Sequence, residues 1–246
     1  MTEFIAEGIG TFILILLGNG VVANVTLKET FGNSGGWIVI TAGWGLGVFV
    51  AVFMVSKYSG AHINPAVTIG LAAAGEFPWS KAPLFIFAQM LGAMAGAICV
   101  YLFYKSHYDA TEDGETKRAS FCTSPAIRKK GRNFFNEFIG TFVLVFAVLL
   151  IAGPSFEHES MQEAKIGLGS LEALPVGLLV FAIGLSLGGT TGYAINPARD
   201  LGPRIMHALL PIKAKGSNDW GYSWVPVLGP IAGALFAAGL YLVLGI

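Results

Sequence analysis

Long apolar runs separated by short polar stretches dominate the pattern along this chain. Six of the runs have about the 20 residues that a helix needs to cross a hydrocarbon core about 30 Å thick. They lie at about residues 4–23, 37–56, 82–104, 134–153, 173–191 and 223–244. The pattern therefore predicts an all-α membrane protein with six transmembrane helices.

Two further apolar stretches are too short to cross a membrane. Residues 64–74 would form a helix of about 16 Å, and residues 196–209 one of about 21 Å. Both begin with Asn-Pro-Ala, in which asparagine is a favourable N-cap and proline fits the first helical position. Because half-length helices are tolerated in a membrane only when they are buried in protein or line a cavity, we predict two re-entrant half-membrane helices.

An internal repeat relates the two halves of the chain. Motifs of the first half recur in the second at offsets of 130, 132 and 137 residues. Since each copy holds three spans and one half-helix, the second copy enters from the opposite side and the repeats are inverted. We expect a single domain over 1–246, with repeat one at about 4–104, repeat two at about 134–244 and a polar loop at 105–133. Repeated pairs include Glu7 and Glu137, Asn64 and Asn196, Gly92 and Gly229, and Gly96 and Gly233.

The composition agrees with a membrane protein and gives no indication of a bound cofactor. Only 12% of the residues are charged, with 15 basic and 15 acidic side chains, whereas roughly 25% is usual in a soluble domain. The balance gives no reason to expect nucleic acid as a partner. The two cysteines form neither a disulfide framework nor a metal site. We expect no metal, no cofactor and no catalysis.

The two Asn-Pro-Ala boxes indicate what the centre of the protein recognises. Inverted half-helices bring both helix N-termini to the midplane, where their partial positive charges repel cations. The amides of Asn64 and Asn196 donate hydrogen bonds there, while the non-helical segments 60–63 and 192–195 offer backbone carbonyls as acceptors. This arrangement favours a small, neutral, hydroxylated solute over an ion.

The boxes and their surroundings, residues 59–68 and 192–200, resemble the major intrinsic protein (aquaporin) family. Within it the chain is most similar to the aquaglyceroporin subgroup, which includes the bacterial glycerol facilitator. The resemblance implies an aquaporin-like fold, a homotetramer with one pore in each subunit, and a multi-pass protein of the plasma membrane with cytoplasmic termini. It also implies a passive channel for glycerol, similar small polyols, other small uncharged solutes and water, which excludes ions and protons.

The same resemblance implies a selectivity filter made of Trp44, Gly184, Tyr193 and Arg199. Water-selective relatives usually have histidine at the position of Gly184, so glycine is expected to leave room for a carbon skeleton. The aromatic residues would contact CH groups of a polyol while Arg199 donates to its hydroxyls. Tyr193 departs from the phenylalanine of the bacterial pattern, which affects the expected balance between water and glycerol.

The remaining expected site residues follow from the boxes and from family resemblance. Asn64 and Asn196 are expected at the centre of the pore. Backbone carbonyls are expected to line it at Gly60, Ala61, His62, Ala194 and Ile195. Structural support is expected from Glu7, Glu137, Pro65, Ala66, Pro197, Ala198 and Asp200.

Alternative functions follow from the same residues. A water-selective aquaporin is the nearest, and Gly184 with Asp200 argues against it. A proton-coupled secondary transporter would use Glu7 and Glu137 as a proton relay, although the residues expected at the midplane are neutral asparagines. A non-conducting junction or adhesion protein would leave the filter positions free to vary, and here each holds a chemically suitable residue.

The distribution of basic residues disagrees with the orientation that the resemblance implies. Cytoplasmic termini would place three basic residues inside, Lys57, Lys81 and Lys165, and twelve outside. The positive-inside rule would select the opposite orientation. We keep the family orientation because the longer loops and the filter motif match the family's outer side. The basic run at 128–132 is interpreted as the solvated edge of a loop.

Overall fold

A computed structural model describes residues 1–152 and 167–245. Six of its helices are long and apolar enough to cross a membrane, and two shorter ones begin at the Asn-Pro-Ala boxes. The α-helices are α1 Glu3–Thr26, α2 Trp37–Ser59, α3 Pro65–Ala74, α4 Ala82–Phe103, α5 Lys105–Ala110, α6 Gly114–Ala119, α7 Lys130–Leu150, α8 Leu174–Leu187, α9 Pro197–Leu209 and α10 Val225–Leu244. Short 3₁₀ helices lie at Trp79–Lys81, Gly169–Ala173 and Gly188–Thr190.

The packing follows the internal repeat. In the first half α1 packs against α2 and α4, in the second half α7 packs against α10, and α2 joins the halves by packing against α8. The half-helices α3 and α9 contact each other at the centre. Large apolar side chains remain exposed on the outward faces of the long helices, as a lipid-facing surface requires. The prediction of six spans and two re-entrant helices in inverted repeats is confirmed.

Small residues let the helices approach closely. A Cβ atom built on Gly92 of α4 would lie 2.2 Å from the carbonyl oxygen of Gly8 in α1. In the second half, a Cβ atom on Gly233 of α10 would lie 2.2 Å from the carbonyl oxygen of Phe138 in α7. Any side chain at these positions would push the helices apart, so the glycines set the distance between backbones that pack by dispersion.

The structure differs from the sequence prediction mainly around the central polar segment. The predicted loop 105–133 contains the short helices α5 and α6. Helix α7 begins at Lys130 rather than at 134, because its first turn is polar and carries no hydropathy signal. Gly153, at the end of the predicted fourth span, and Lys165 lie outside the described residues.

Candidate functional site

The half-helices α3 and α9 begin in the same way. The side-chain oxygen of Asn64 accepts from the amide of Ala66 at 2.9 Å, and that of Asn196 accepts from Ala198 at 3.0 Å and Arg199 at 3.2 Å. Proline follows each asparagine, so the first helical position lacks an amide hydrogen that would need a partner. Both asparagines are N-caps, as the sequence predicts.

Each box also bonds to the loop of the other half. The Nδ2 atom of Asn64 donates to the carbonyl oxygen of Ile195 at 2.8 Å, and Nδ2 of Asn196 donates to that of Ile63 at 2.9 Å. The side-chain amide nitrogen of asparagine carries two hydrogens. Each asparagine therefore keeps one N–H donor for a solute. The reciprocal bonds hold both side chains at the junction of the two halves.

The loops before the boxes have a strained, repeated backbone. The backbone of Gly60 is in the left-handed region, and so are those of Ala61 and Ile63, with φ of 54° and 44°. The equivalent residues Tyr193 and Ile195 have φ of 37° and 42°. Positive φ is unusual for non-glycine residues and costly for a β-branched one, of order 1–3 kcal/mol at each position. This conformation keeps the segments out of helices and leaves their carbonyls available.

Glu7 and Glu137 hold these loops in place. The carboxylate of Glu7 accepts from the amides of His62 and Ile63 at 2.9 and 2.7 Å. It also accepts from the Ser59 hydroxyl at 2.6 Å and from Nε2 of Gln89 at 2.8 Å.

Glu137 does the same for the second loop by accepting from the amides of Ala194 and Ile195 at 3.0 and 2.8 Å. Both carboxylates are fully buried and neither lines the cavities described below. One turn later, Gly10 and Gly140 clear space for the side chains of Ile63 and Ile195.

Two adjoining cavities lie at the boxes and at the mouth above them. A cavity of about 130 Å³ extends along the centre of the protein. A cavity of larger volume, about 470 Å³, lies at the mouth, on the side of the 105–129 segment. Both cavities share Trp44, Tyr193 and Arg199, which therefore form the boundary between them. The central cavity is also lined by Asn64, Asn196, Gly60, Ala61, His62, Ala194 and Ile195.

The guanidinium of Arg199 is held by the protein through one of its nitrogen atoms. Its Nη1 atom donates to the carbonyl oxygen of Phe121 at 3.3 Å and to Oδ1 of Asn19 at 3.4 Å. Its guanidinium carbon lies 4.2 Å from the ring centroid of Trp44, a cation–π contact. Among the described residues only Nη1 of the side chain has hydrogen-bond partners, so Nε and Nη2 are donors for a solute at the boundary.

Gly184 contributes to the site for a different reason from the one predicted. It lines neither cavity. A Cβ atom there would lie 2.8 Å from Cζ of Tyr193, and one on Gly188 would lie 2.4 Å from Cδ1 of the same ring. Trp37 packs edge-on against this ring at 5.8 Å and donates from Nε1 to the Gly184 carbonyl at 3.0 Å. The space left by glycine is therefore filled by Tyr193.

Asp200 of α9 binds the mouth segment through Thr123 and forms a buried ion pair within its own helix. Its carboxylate accepts from Nε and Nη2 of Arg204 at 2.8 and 3.1 Å, and both side chains are fully buried. It also accepts from the amide and hydroxyl of Thr123 at 2.7 Å each. Arg204 also donates hydrogen bonds to the carbonyl oxygens of Thr123 and Asn218. The network fixes the segment that carries Phe121, and so the partner of Arg199.

The mouth carries charge of both signs. Asp113, Glu115 and Arg118 line it, and Arg118 pairs with Glu115 at 3.7 Å. The side chain and amide of Thr116 donate to Asp113 at 2.6 and 2.8 Å, which lowers the pKa of that carboxyl below its usual value. Asp113 is therefore ionised at neutral pH.

His62 lies on the other side of the boxes. Its Nδ1 atom is 3.1 Å from the hydroxyl of Thr68, and its ring packs against Phe77 and Phe85. Nε2 of Gln89 donates to the same hydroxyl at 3.0 Å. These contacts fix the ring while the residue borders the central cavity.

Sequence reasoning did not find several residues that position the site. Asn19 and Gln89 are polar, fully buried and inside spans, and that combination is a signal that a search for polar residues in spans would detect. Arg204, a charged residue in the half-helix α9, carries the same signal. Thr123 and Phe121 do not, because their importance depends on contacts between distant parts of the chain.

A model of the family described as major intrinsic protein matches residues 1–241. The chain belongs to the major intrinsic protein family. It is 56% identical over 241 residues to the "Probable glycerol uptake facilitator protein" of Thermotoga maritima, with 98% of each chain covered. It is 51% identical to the "Glycerol uptake facilitator protein" of Bacillus subtilis, over 98% of this chain and 84% of that protein.

A solved structure of the same fold is the X-ray structure of the aquaglyceroporin from Plasmodium falciparum. It matches with a TM-score of 0.82 and 36% sequence identity, over 97% of this chain and 94% of that one. Together with the six apolar helices, membership of the major intrinsic protein family makes the chain a multi-pass integral membrane protein. The predicted resemblance and fold class are confirmed.

Proposed function

We propose that this chain is a passive transmembrane channel for glycerol and other small uncharged solutes, and that it also passes water. The observation that carries the proposal is the boundary between the two cavities. There Arg199 presents N–H donors next to the aromatic carbon of Trp44, which its guanidinium contacts, and of Tyr193. A polyol has hydroxyls along one edge and CH groups along the other, so it satisfies the donors and the aromatic carbon at once. The names of the relatives from T. maritima and B. subtilis support the same solute.

Passage then needs no covalent step and no cofactor. Carbonyls of the strained loops replace the hydration of a solute hydroxyl as it enters. At the centre the free hydrogens of Asn64 and Asn196 donate to its oxygen atoms. The reciprocal bonds to Ile195 and Ile63 keep these amides in one orientation, so every solute meets the same pair of donors.

Cations are excluded by three fixed positive groups. The N-termini of α3 and α9 each carry about half a positive charge directed at the boxes, and Arg199 adds a full charge at the boundary. A proton-coupled transporter fits less well, because Glu7 and Glu137 are occupied by loop amides and do not line either cavity.

The assembly and orientation are part of the same proposal. We infer a homotetramer in which each subunit, as one channel domain, has its own pore. We place the protein in the plasma membrane with both termini cytoplasmic. The boundary formed by Trp44, Tyr193 and Arg199 then lies towards the outer face. Family membership supports both inferences.

A water-selective channel is a second candidate, and one observation favours it. The Tyr193 ring fills the space that Gly184 leaves, which narrows the boundary relative to a filter with an open glycine. Glycerol is wider than water, so this ring determines which of the two solutes the boundary admits.

Stopped-flow light scattering on proteoliposomes distinguishes the candidates. Vesicles with and without protein are compared for volume recovery after a glycerol shock and for shrinkage in a sorbitol gradient. Fast, protein-dependent glycerol recovery without an ion gradient supports the glycerol channel. Fast shrinkage with glycerol recovery no faster than in empty vesicles supports the water channel. Glycerol recovery that requires a proton gradient would contradict both.

Replacing Arg199 with valine is expected to relax the exclusion of cations. A unit charge at about 4 Å contributes about 4 kcal/mol at an effective dielectric constant of 20, so cation leak should rise by up to about a thousandfold. The leak is measured in proteoliposomes with a pH-sensitive dye inside the vesicles. Lys213→Val removes an exposed charge and serves as the control. A variant as tight as the unmodified protein would remove Arg199 from this role.

A further inference from the structure

The start of α7 carries three exposed cations. Lys129 is the N-cap residue of the helix, and Lys130 and Arg132 lie in its first turn. All three side chains are exposed. We refer to these residues as the α7 basic cluster. The structure places the cluster on a membrane-spanning helix, whereas the sequence predicted only a solvated loop edge.

Most other basic residues at the same end of the molecule have partners within the chain. Arg128 makes a bidentate pair with Asp219 at 2.6 and 3.1 Å, and Arg118 donates to the carbonyl of Ser217 at 3.0 Å. Further cations with partners are Lys105 with Asp109, Lys117 with the Lys213 carbonyl, Arg204 with Asp200, and Lys215 with the Ala208 and Leu210 carbonyls. Lys105, Arg118, Arg128 and Arg204 are therefore paired with carboxylates, and Lys117 and Lys215 are held by carbonyl oxygens. Within the described part of the chain, the α7 basic cluster has neither kind of charge partner.

The cluster itself lacks anionic partners. Among the residues that the structure describes, no carboxylate lies within 4 Å of the charged groups of Lys129, Lys130 or Arg132. The cations also occupy the positive end of a 21-residue helix, where the helix dipole disfavours them. Three like charges at a helix start raise the free energy of the isolated protein, and an external anion would lower it.

Neighbouring aromatic residues place the cluster at headgroup depth. Phe134 of α7 stacks on Trp224, the N-cap residue of α10, with ring centroids 6.0 Å apart. Trp224 and Trp220 are exposed, and so is Phe135 of α7. Tryptophan is enriched where the hydrocarbon core meets the headgroups. The cations therefore lie at the level of lipid phosphates, beside an apolar side chain that faces the acyl region.

We propose that the α7 basic cluster binds the headgroup of an anionic glycerophospholipid. Arg132 and Phe135 lie three residues apart and so share a face of α7, where they contact the phosphate and the upper acyl chain. Lys129 and Lys130 at the helix start add positive charge beside the headgroup. A lipid satisfies both the charge and the apolar neighbour, whereas free phosphate satisfies the charge alone. The proposal holds for either orientation of the protein and does not depend on which solute the pore conducts.

The experiment compares a triple variant, Lys129→Gln with Lys130→Gln and Arg132→Gln, with a control of equal charge change, Lys28→Gln with Lys57→Gln and Lys213→Gln. The control lysines are exposed and lie outside the cluster. Native mass spectrometry of the detergent-purified full-length protein measures the affinity for phosphatidylglycerol and for phosphatidylcholine. We expect the preference of the unmodified protein for phosphatidylglycerol to fall about tenfold in the triple variant and to persist in the control.

Three results would overturn the proposal. The first is equal phosphatidylglycerol binding by the triple variant and the control. The second is displacement of the lipid by inorganic phosphate at millimolar concentration, which would make the site one for a free anion. The third is a changed oligomeric mass of the triple variant with unchanged lipid preference, which would assign the cations to a neighbouring subunit. Unchanged glycerol flux in phosphatidylcholine vesicles verifies that the variant is folded.

Discussion

Replacing Gly184 with alanine is expected to slow glycerol more than water. The new methyl group would lie 2.8 Å from Cζ of Tyr193 and 2.9 Å from Cγ2 of Thr41. Because Trp37 packs against the other edge of the ring, the ring moves towards Arg199 and narrows the boundary. A rise of about 1.4 kcal/mol in the barrier, within the usual range for overpacking, slows glycerol about tenfold. Glycerol recovery and osmotic shrinkage of proteoliposomes give the two rates.

Gly239→Ala is the matched control, since a Cβ atom at this position in α10 meets nothing within 4 Å. It should leave both rates unchanged. An unaltered ratio of glycerol to water in the Gly184 variant would mean that the Tyr193 ring does not border the path. A histidine at position 184 should enlarge the same effect, because its ring also needs the space that Tyr193 now fills.

Replacing Glu7 with glutamine is expected to destabilise the protein strongly. Its carboxylate accepts four hydrogen bonds, and glutamine offers an NH₂ group in place of one accepting oxygen. Two buried donors then lose their acceptor, at about 1–3 kcal/mol each. For a protein of this size the melting temperature should fall by about 10 °C. Thermal unfolding in detergent, followed by intrinsic tryptophan fluorescence, measures the shift.

Glu3→Gln on the same helix provides the comparison. Glu3 pairs with Lys81 at 2.9 Å at the surface, where both side chains are nearly half exposed, and such a pair contributes little stability. Its loss should change the melting temperature by no more than about 2–4 °C. Equal melting temperatures for the two variants would show that Glu7 does not hold the loop.

The features that the sequence predicts well are those that are repeated or local. Spans follow from runs of apolar residues, and the N-caps of α3 and α9 follow from Asn-Pro-Ala alone. Glu7 and Glu137 recur at equivalent places in an inverted repeat, and this repetition indicated a shared supporting role. Each of them holds one of the two loops, in agreement with that role.

The features that it does not predict depend on contacts between distant residues or on polar helices. Arg199 is held by Asn19, 180 residues away, and by Phe121, 78 residues away. No pattern of neighbouring residues predicts contacts over such separations. The first turn of α7 and the helices α5 and α6 are polar, so hydropathy does not distinguish them from a loop. The role of Gly184 depends on the position of the Tyr193 ring, which only the assembled structure defines.

The reciprocal bonds at the boxes have a consequence for the order of synthesis. Glu7 is made before the loop that it holds, 55 and 56 residues later, so the first half can brace its own strained backbone. The carbonyl that accepts from Asn64 belongs to Ile195, 131 residues further along the chain. At about 5–20 residues per second, translation supplies it only after about 7–26 seconds. During that interval the Asn64 amide lacks this acceptor, so the bonds at the centre are completed only after the second half has been made.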